Sequence, residues 1–402
     1  MSSLQFPSPI ASWLLLHRVP GFSYRRFARL DQYSIDASAV LLERPPSWLM
    51  ANLPQATAER IAALRRDGER DSLWQQMLRD IDSCQRLAIS VIRYRDAAYP
   101  SLLQHTASAP PLLFVRGDVG VLQSPQLAIV GARNATAAGV DCAGGFARGL
   151  CQRGLTITSG LALGIDAAAH EGALAVGGLT IAALGTGVDS IYPRSQERLA
   201  AAILERGALI SELPIGAPAR PQHFPQRNRL ISGLSHGVLV VEAAVRSGSL
   251  ITAHFAAEQG RTVFAIPGSI HNPLARGCHA LIRSGARLVE TLDDIVSELE
   301  APLQLPLTRV VEESAPAHAG ADSEPPSTEQ LSIELIAASA TACALFAHLG
   351  DVPAAPDVLL ERSGLSPSAL SCALLELELQ GLVTVVAGGY QRHSQRSPTC
   401  AV

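Results

Sequence analysis

The chemistry open to this chain is set first by its cations. All 32 residues counted as Lys plus Arg are arginines, and the 402-residue sequence contains no lysine. A P-loop NTPase needs a lysine on the β- and γ-phosphates, so that class is excluded. Schiff-base and pyridoxal-phosphate chemistry need a lysine amine, and a protein kinase needs its strand lysine. What remains is guanidinium chemistry: planar, always charged, and suited to phosphates and to stacking on bases. Several arginines sit where such chemistry is useful. Arg133 follows an apolar run in Gly131-Ala132-Arg133-Asn134, Arg194 ends Tyr192-Pro193-Arg194, and Arg220 precedes the segment FPQRNRLISGLS at 224–235. In that segment Arg227 and Arg229 flank Asn228 at the start of a predicted helix. A cation at a helix N-terminus opposes the macrodipole, so the placement calls for an anionic partner. The two side chains leave in different directions and can serve different phosphates or bases.

A second set of residues supplies backbone rather than side-chain donors. Gly131, the run from Ser159 and Gly160 to Gly164, Ile165 and Asp166, the turn Gly185-Thr186-Gly187, the stretch from Glu242 to Ser247, Gly248 and Ser249, and Pro267-Gly268 each interrupt an apolar segment. Gly or Ser just before a helix aims unpaired N–H groups outward and makes an anion site. A single such turn is ordinary strand-to-helix punctuation; several on one edge, two of them with arginine, point to a polyanion. The first turn lacks G-x-G-x-x-G, and no acid ends the second strand to hold a ribose, so NAD is not expected. No catalytic constellation emerges. His170, His223, His236, His254, His271 and His279 lack zinc-site spacing, and no G-x-S-x-G frames Ser159, Ser211 or Ser249. Asp166 and His170 share a helix face as a capping carboxylate and a structural histidine. Glu242, at a strand end, reads as a general base or as an organiser of its loop.

These residues need a scaffold, and the apolar pattern names it. Runs at 127–131, 155–160, 179–185, 208–212, 237–243, 261–268 and 286–290 read as strands, with helices at 136–154, 165–176 and 249–260 between them. Continuous apolar strands separated by amphipathic helices mean a sheet covered on both faces. The expected fold is α/β: a Rossmann-like, doubly wound, mostly parallel sheet over 83–300, binding its ligand beyond the carboxyl ends of the strands. Residues 1–82 are read as a small helical domain. Its LLLHRVPGFSYRRFARL segment is either a helix-hairpin-helix type unit offering N–H groups to a phosphate or a helical cap. Residues 301–330, rich in Pro, Ala, Ser and acid, read as a flexible linker. Residues 331–392 read as helices followed by a Gly-Gly hairpin, a winged-helix-like module, and 393–402 as a tail.

The net charge of −4 is unevenly spread: +1 over residues 1–82, +2 over 83–300 and −7 over 301–402. A pI near 6.3 argues against nucleic acid only if charge is averaged, and binding follows local patches. No acid lies between Glu212 and Glu242, or between Glu258 and Glu290. These two arginine-bearing stretches either line a groove or are chance fluctuation. The seven cysteines, 84, 142, 151, 278, 343, 372 and 400, are scattered and form no C-x-x-C. Neither a disulfide framework nor a zinc site is expected, and the expected location is the reducing cytoplasm. The first residues lack a basic n-region, and no apolar run reaches the ~18 residues of a membrane span.

IVGARNATAAG, SGLALGIDAAAHEGAL, GTGVDSIYPR, ISELPIG, FPQRNRLISGLS, VVEAAVRSGSLITAHFAAEQGR, VFAIPGSI and GCHALIRSGA occur in this order. Together they resemble the DNA-processing protein A family (DprA, also called Smf), densely over residues 85–300. The resemblance implies a non-enzymatic protein without cofactor or metal. It implies binding of incoming single-stranded DNA during natural transformation, protection of that strand, displacement of single-strand-binding protein and loading of the RecA recombinase. It also implies a homodimer formed through the Rossmann-like domain. By motif, Arg133, Gly160, Gly164, Ile165, Asp166, Arg227, Asn228, Arg229, Ser247, Gly248, Ser249 and Thr252 carry over as the single-strand site. Arg194 and Arg220 are the stand-ins for lysines common in the family's groove, and Ala132 replaces a frequent serine. With aromatics at 4%, Phe224 and Tyr192 are the stacking candidates near the loops. The candidate recognition helix SPSALSCALLELELQG has no arginine and carries Glu376 and Glu378, so the C-terminal module is expected not to bind DNA directly. The competing readings are an enzyme akin to the nucleotide phosphoribohydrolases that activate cytokinins, and a general nucleotide sensor of the same Rossmann-like group. Only GTG at 185–187 and PG at 267–268 echo the phosphoribohydrolase P-G-G-x-G-T-x-x-E motif.

Overall fold

The computed structural model describes residues 6–42, 53–303, 340–350, 353–379, 382–386 and 389–392. The chain divides into two compact units, Met1–Glu312 and Glu313–Val402. Of the linker expected over 301–330, residues 301–303 end helix Leu292–Leu303, and the remainder, like the expected tail, lies outside the described residues.

The first unit is built on a nine-stranded sheet in the order β1-β2-β6-β5-β4-β3-β7-β8-β9. The strands are β1 (Ile89–Arg93), β2 (Leu112–Gly117), β3 (Gln126–Val130), β4 (Thr156–Ser159), β5 (Thr180–Ala183), β6 (Ala208–Ser211), β7 (Gly237–Val240), β8 (Thr262–Ala265) and β9 (Arg287–Leu288). From β6 across to β9 every pairing is parallel. β1 and β2 add an antiparallel edge on β6 that the sequence pattern did not single out.

Burial on both faces explains the unbroken apolar strands. Leu127 and Ile129 of β3 join one cluster with Ala143, Ala147 and Leu150 of helix Ala137–Gln152 and Ile165, Ala169 and Ala173 of helix Ile165–Ala175. Ala128 and Val130 face the other way, onto Leu230, Ile231 and Leu234 of helix His223–Leu234 and Ala253 and Ala256 of helix Gly248–Glu258. Alternate residues of one strand thus feed two cores, as the two-residue period requires.

The N-terminal helices Pro9–His17, Tyr24–Gln32, Ala37–Leu42, Gln55–Asp67 and Ser72–Arg86 pack on the antiparallel edge. Trp13, Leu14, Phe27, Met77 and Trp74 share a cluster with Ile89, Leu112 and Phe114. Arg18 ties this packing down: its guanidinium pairs with Asp80 and donates to Ile215 O at 2.7 Å, beyond β6. The Pro20-Gly21 turn is held by the Thr57 hydroxyl, which donates to Pro20 O at 2.9 Å.

The second unit has helices Ala340–His348, Pro356–Ser363 and Pro367–Leu379, then an antiparallel pair, β10 (Val383–Val386) and β11 (Gly389–Arg392). Its core comprises residues such as Leu345, Phe346, Leu359, Leu374, Leu377 and Val383. Three helices and a two-stranded wing among its described residues make this a winged helix. No helix among the described residues is long and apolar enough to cross a membrane.

Candidate functional site

The chain runs β3, β4, β5, β6 outward to one side, then returns to place β7 beside β3 and runs β8, β9 to the other. β3 and β7 therefore flank the switch point, where an open α/β sheet leaves a crevice beyond its strand ends. A groove of about 520 Å³ lies there. Of the residues expected from sequence, Gly131, Arg133, Asp166, Arg220, Phe224, Arg227, Asn228, Ser247, Gly248, Ser249 and Thr252 line it.

Arg133 leaves the end of β3 into solvent, with its guanidinium carbon 5.9 Å from the centre of the Phe224 ring. That is the outer limit of cation–π contact. Tyr192, 51% exposed, stands against the same ring with centroids 5.5 Å apart, so the groove mouth has one aromatic pair and an arginine. Arg220 is exposed on the facing loop. Ser247 caps helix Gly248–Glu258: its hydroxyl oxygen accepts from Ser249 N at 3.3 Å and lies 2.7 Å from Ser249 Oγ. The positive end of that helix opens on the groove beside Asn228, whose amide donates to Gly248 O at 3.2 Å.

Arg227 differs from these. It is 5% exposed, and its Nη1 donates to Gly160 O at 2.6 Å and to Ala183 O, joining the ends of β4 and β5. Burial lowers its pKa to about 10 against the pull of Asp166, with Arg133 adding to the lowering. Asp166 in turn accepts from Gly160 N at 3.2 Å and Ala162 N at 3.3 Å, and its burial pushes the carboxyl above its usual range despite Arg227. Its carboxylate therefore organises the loop before its helix. His170, on the next turn, is fully buried, with Nδ1 2.7 Å from Thr180 Oγ1 and a pKa lowered to about 3, by burial first and Arg227 second. It is a structural histidine.

The remaining expected residues do not line the groove. Arg229 pairs with Glu212 and donates to Ser108 O, so the anion its place in the helix calls for is supplied by the chain itself. Ser159 is buried and donates to Ile129 O at 2.6 Å, and Ile165 is a core residue packed under Gly131. Gly160 and Gly164 shape the β4 loop. Gly164 has φ +74°, and a side chain there would strike the carbonyls of Ala132 and Arg133. Arg194 is exposed outside the lining, and Gly268 is tied to the ring of His279. Pro267 stands beside it on the β8 turn, also outside the lining. Glu242 is 7% exposed and accepts from Thr136 N at 2.9 Å, Thr136 Oγ1 at 2.7 Å and Asn272 Nδ2 at 3.4 Å. The second acid-free stretch does not join the groove either. Arg261 precedes β8 and donates to Leu102 O at 3.0 Å, while Arg287 pairs with Glu298 at 3.0 Å.

Two residues important to the site were not picked out from sequence. Thr136 is the N-cap of helix Ala137–Gln152, signalled by a threonine just before a helical run. Asn272 forms an Asx turn, accepting from Leu274 N at 2.9 Å, as an Asn before Pro often does.

A family model for DNA recombination-mediator protein A matches residues 90–300, and one for the DprA winged helix domain matches residues 322–389. Protein Smf of Escherichia coli (strain K12) is 46% identical over 295 residues, covering 73% of this chain and 75% of that protein. DNA processing protein DprA of Streptococcus pneumoniae is 47% identical over 205 residues, covering 51% of this chain and 72% of that protein. The X-ray structure of DprA from Streptococcus pneumoniae superposes with a TM-score of 0.63 at 35% identity, covering 72% of this chain and 97% of that one.

Proposed function

The chain belongs to the DNA recombination-mediator protein A family, and from that premise we propose that it is a single-stranded-DNA-binding mediator whose strand lies in the switch-point groove. The observation that carries the reading is the groove's composition: exposed Arg133 and Arg220, the positive end of helix Gly248–Glu258, and a single aromatic pair for a base. Its one lining carboxylate, Asp166, is buried and turned to the backbone. Such a site grips phosphates and tolerates any sequence. In this reading Gly131, Arg133, Arg220, Phe224, Asn228, Ser247, Gly248, Ser249 and Thr252 meet the strand, with Arg194 at its exit. Asp166 and Arg227 hold the floor, together with Ser159, Gly160, Gly164 and Ile165.

The mediator role extends to protecting incoming single strands, displacing single-strand-binding protein and loading the RecA recombinase, as a cytoplasmic homodimer without catalytic activity. Residues 1–82 then form a helical domain, 83–300 the DNA-binding domain, 301–330 a linker and 331–392 a winged helix for partner contact. Helix Pro367–Leu379 of that winged helix bears Glu376 and Glu378 and no arginine, which suits a protein partner better than a major groove. The enzymatic alternative needs a free carboxylate, and Glu242 has its oxygens on Thr136 and Asn272.

Fluorescence anisotropy with labelled oligo-dT and a duplex of equal length tests the reading. The single strand is expected to bind at least about tenfold more tightly at moderate salt, a difference of about 1.4 kcal/mol. Equal affinities would contradict it.

A further inference from the structure

Arg133 is an exposed cation of the groove, yet the backbone that carries it is held from three sides. Gly131 is pressed against Ile165, where a methyl group would lie 2.6 Å from Ile165 Cγ1. Ala132 O accepts from Ile165 N at 3.2 Å, and the Arg133 carbonyl lies over Gly164. The third hold is Glu242. Its Oε2 accepts from Thr136 N at 2.9 Å and its Oε1 from the Thr136 hydroxyl at 2.7 Å. Because that hydroxyl donates to Glu242, its lone pair is free to accept from Gly139 N at 3.0 Å and cap helix Ala137–Gln152. The same Oε1 accepts from Asn272 Nδ2 at 3.4 Å, reaching the loop beyond β8. Gly139 leaves room for this: a methyl group there would lie 2.6 Å from Glu242 Cδ.

From this network we infer that Glu242 is a positioning residue for nucleic-acid binding: it fixes the β3 turn so that Arg133 meets a phosphate of the strand, and itself touches no DNA. The inference rests on the groove being the single-strand site. A carboxylate with its oxygens engaged by the protein offers nothing to an anionic strand. Its effect passes through the loop it clamps, by removing the freedom that Arg133 would otherwise lose on binding.

The test is a double-mutant cycle on the full-length chain, with Glu242→Ala and Arg133→Ala singly and together, read by oligo-dT affinity across salt concentrations. Each single variant is expected to weaken binding by about fivefold or more and to lower the log–log salt slope by about 0.7, the share of one phosphate. The double variant is expected to match Arg133→Ala alone. Glu242→Gln keeps one carboxamide oxygen for Thr136 and is expected to recover part of the affinity. Gly139→Ala, which crowds the carboxylate, is expected to reproduce the loss of slope.

Losses that multiply in the double variant would overturn the inference, because Glu242 would then act independently of Arg133. So would tighter binding by Glu242→Ala or Glu242→Gln, the sign of simple charge repulsion. A lowered melting temperature with unchanged affinity and slope would reduce Glu242 to a purely structural role. If Arg133→Ala itself binds like wild type, the groove reading fails; if only Glu242→Ala does, that reading stands and this inference falls.

Discussion

At the scale of single residues, arginines with similar positions in the sequence do different work. Arg133 and Arg220 reach solvent at the groove, whereas Arg227 and Arg229 are absorbed by carbonyls and by Glu212. Arg227 is the sharper case, because its motif reads as a strand contact and its geometry is that of a clamp between β4 and β5. Removing it leaves Asp166 buried without its counter-charge and two carbonyls without a donor. Arg227→Met is therefore expected to lower unfolding stability by about 3–5 kcal/mol, measured by denaturant unfolding monitored by circular dichroism. A loss below about 1 kcal/mol would show that the Arg227 clamp is dispensable. The sequence could place Arg227 near the site but could not say which way the side chain turned. That depends on Gly160 and Ala183, which lie 67 and 44 positions away. Glu242 was open between general base and loop organiser for the same reason: the partners that decide it, Thr136 and Asn272, come from other loops.

At the scale of elements, the apolar runs carried most of the information. The strands β3 to β9 all overlap runs visible in the sequence; β3 to β7 are buried along their length, which favours apolar residues, whereas both residues of β9 are exposed. β1 and β2 were less legible. β1, at the sheet edge, buries only Ile89 and Ile92 of its five residues, without a two-residue period, and antiparallel pairing leaves no mark in a single sequence. The turns were readable where glycine is obligatory. Gly164, at φ +74°, brings the β4 loop under the carbonyls of Ala132 and Arg133, so two elements share one close approach. Gly164→Ala combines backbone strain with that collision and is expected to cost about 1–3 kcal/mol of stability. It is also expected to weaken oligo-dT binding by disturbing Arg133, and thermal unfolding with anisotropy measures both. Wild-type melting with wild-type affinity would show that the contact yields without consequence.

At the scale of the whole molecule, charge separates the two ends of the chain. A net −4 conceals a first unit that presents arginine at its groove and a C-terminal hundred residues carrying −7. Mean charge is thus a poor guide to partner, and a mildly acidic pI is compatible with a phosphate-binding cleft. With no lysine to supply flexible point charges, the cationic side chains of this groove are guanidinium groups held by loops whose shape the sheet dictates. Whether those groups meet phosphates is read most directly from the salt dependence of oligo-dT binding by wild type and by the Arg133→Ala, Arg220→Ala double variant. Loss of two phosphate contacts is expected to make the log–log slope shallower by about 1.4. A variant that keeps the wild-type slope and affinity would contradict the placement of single-stranded DNA in this groove.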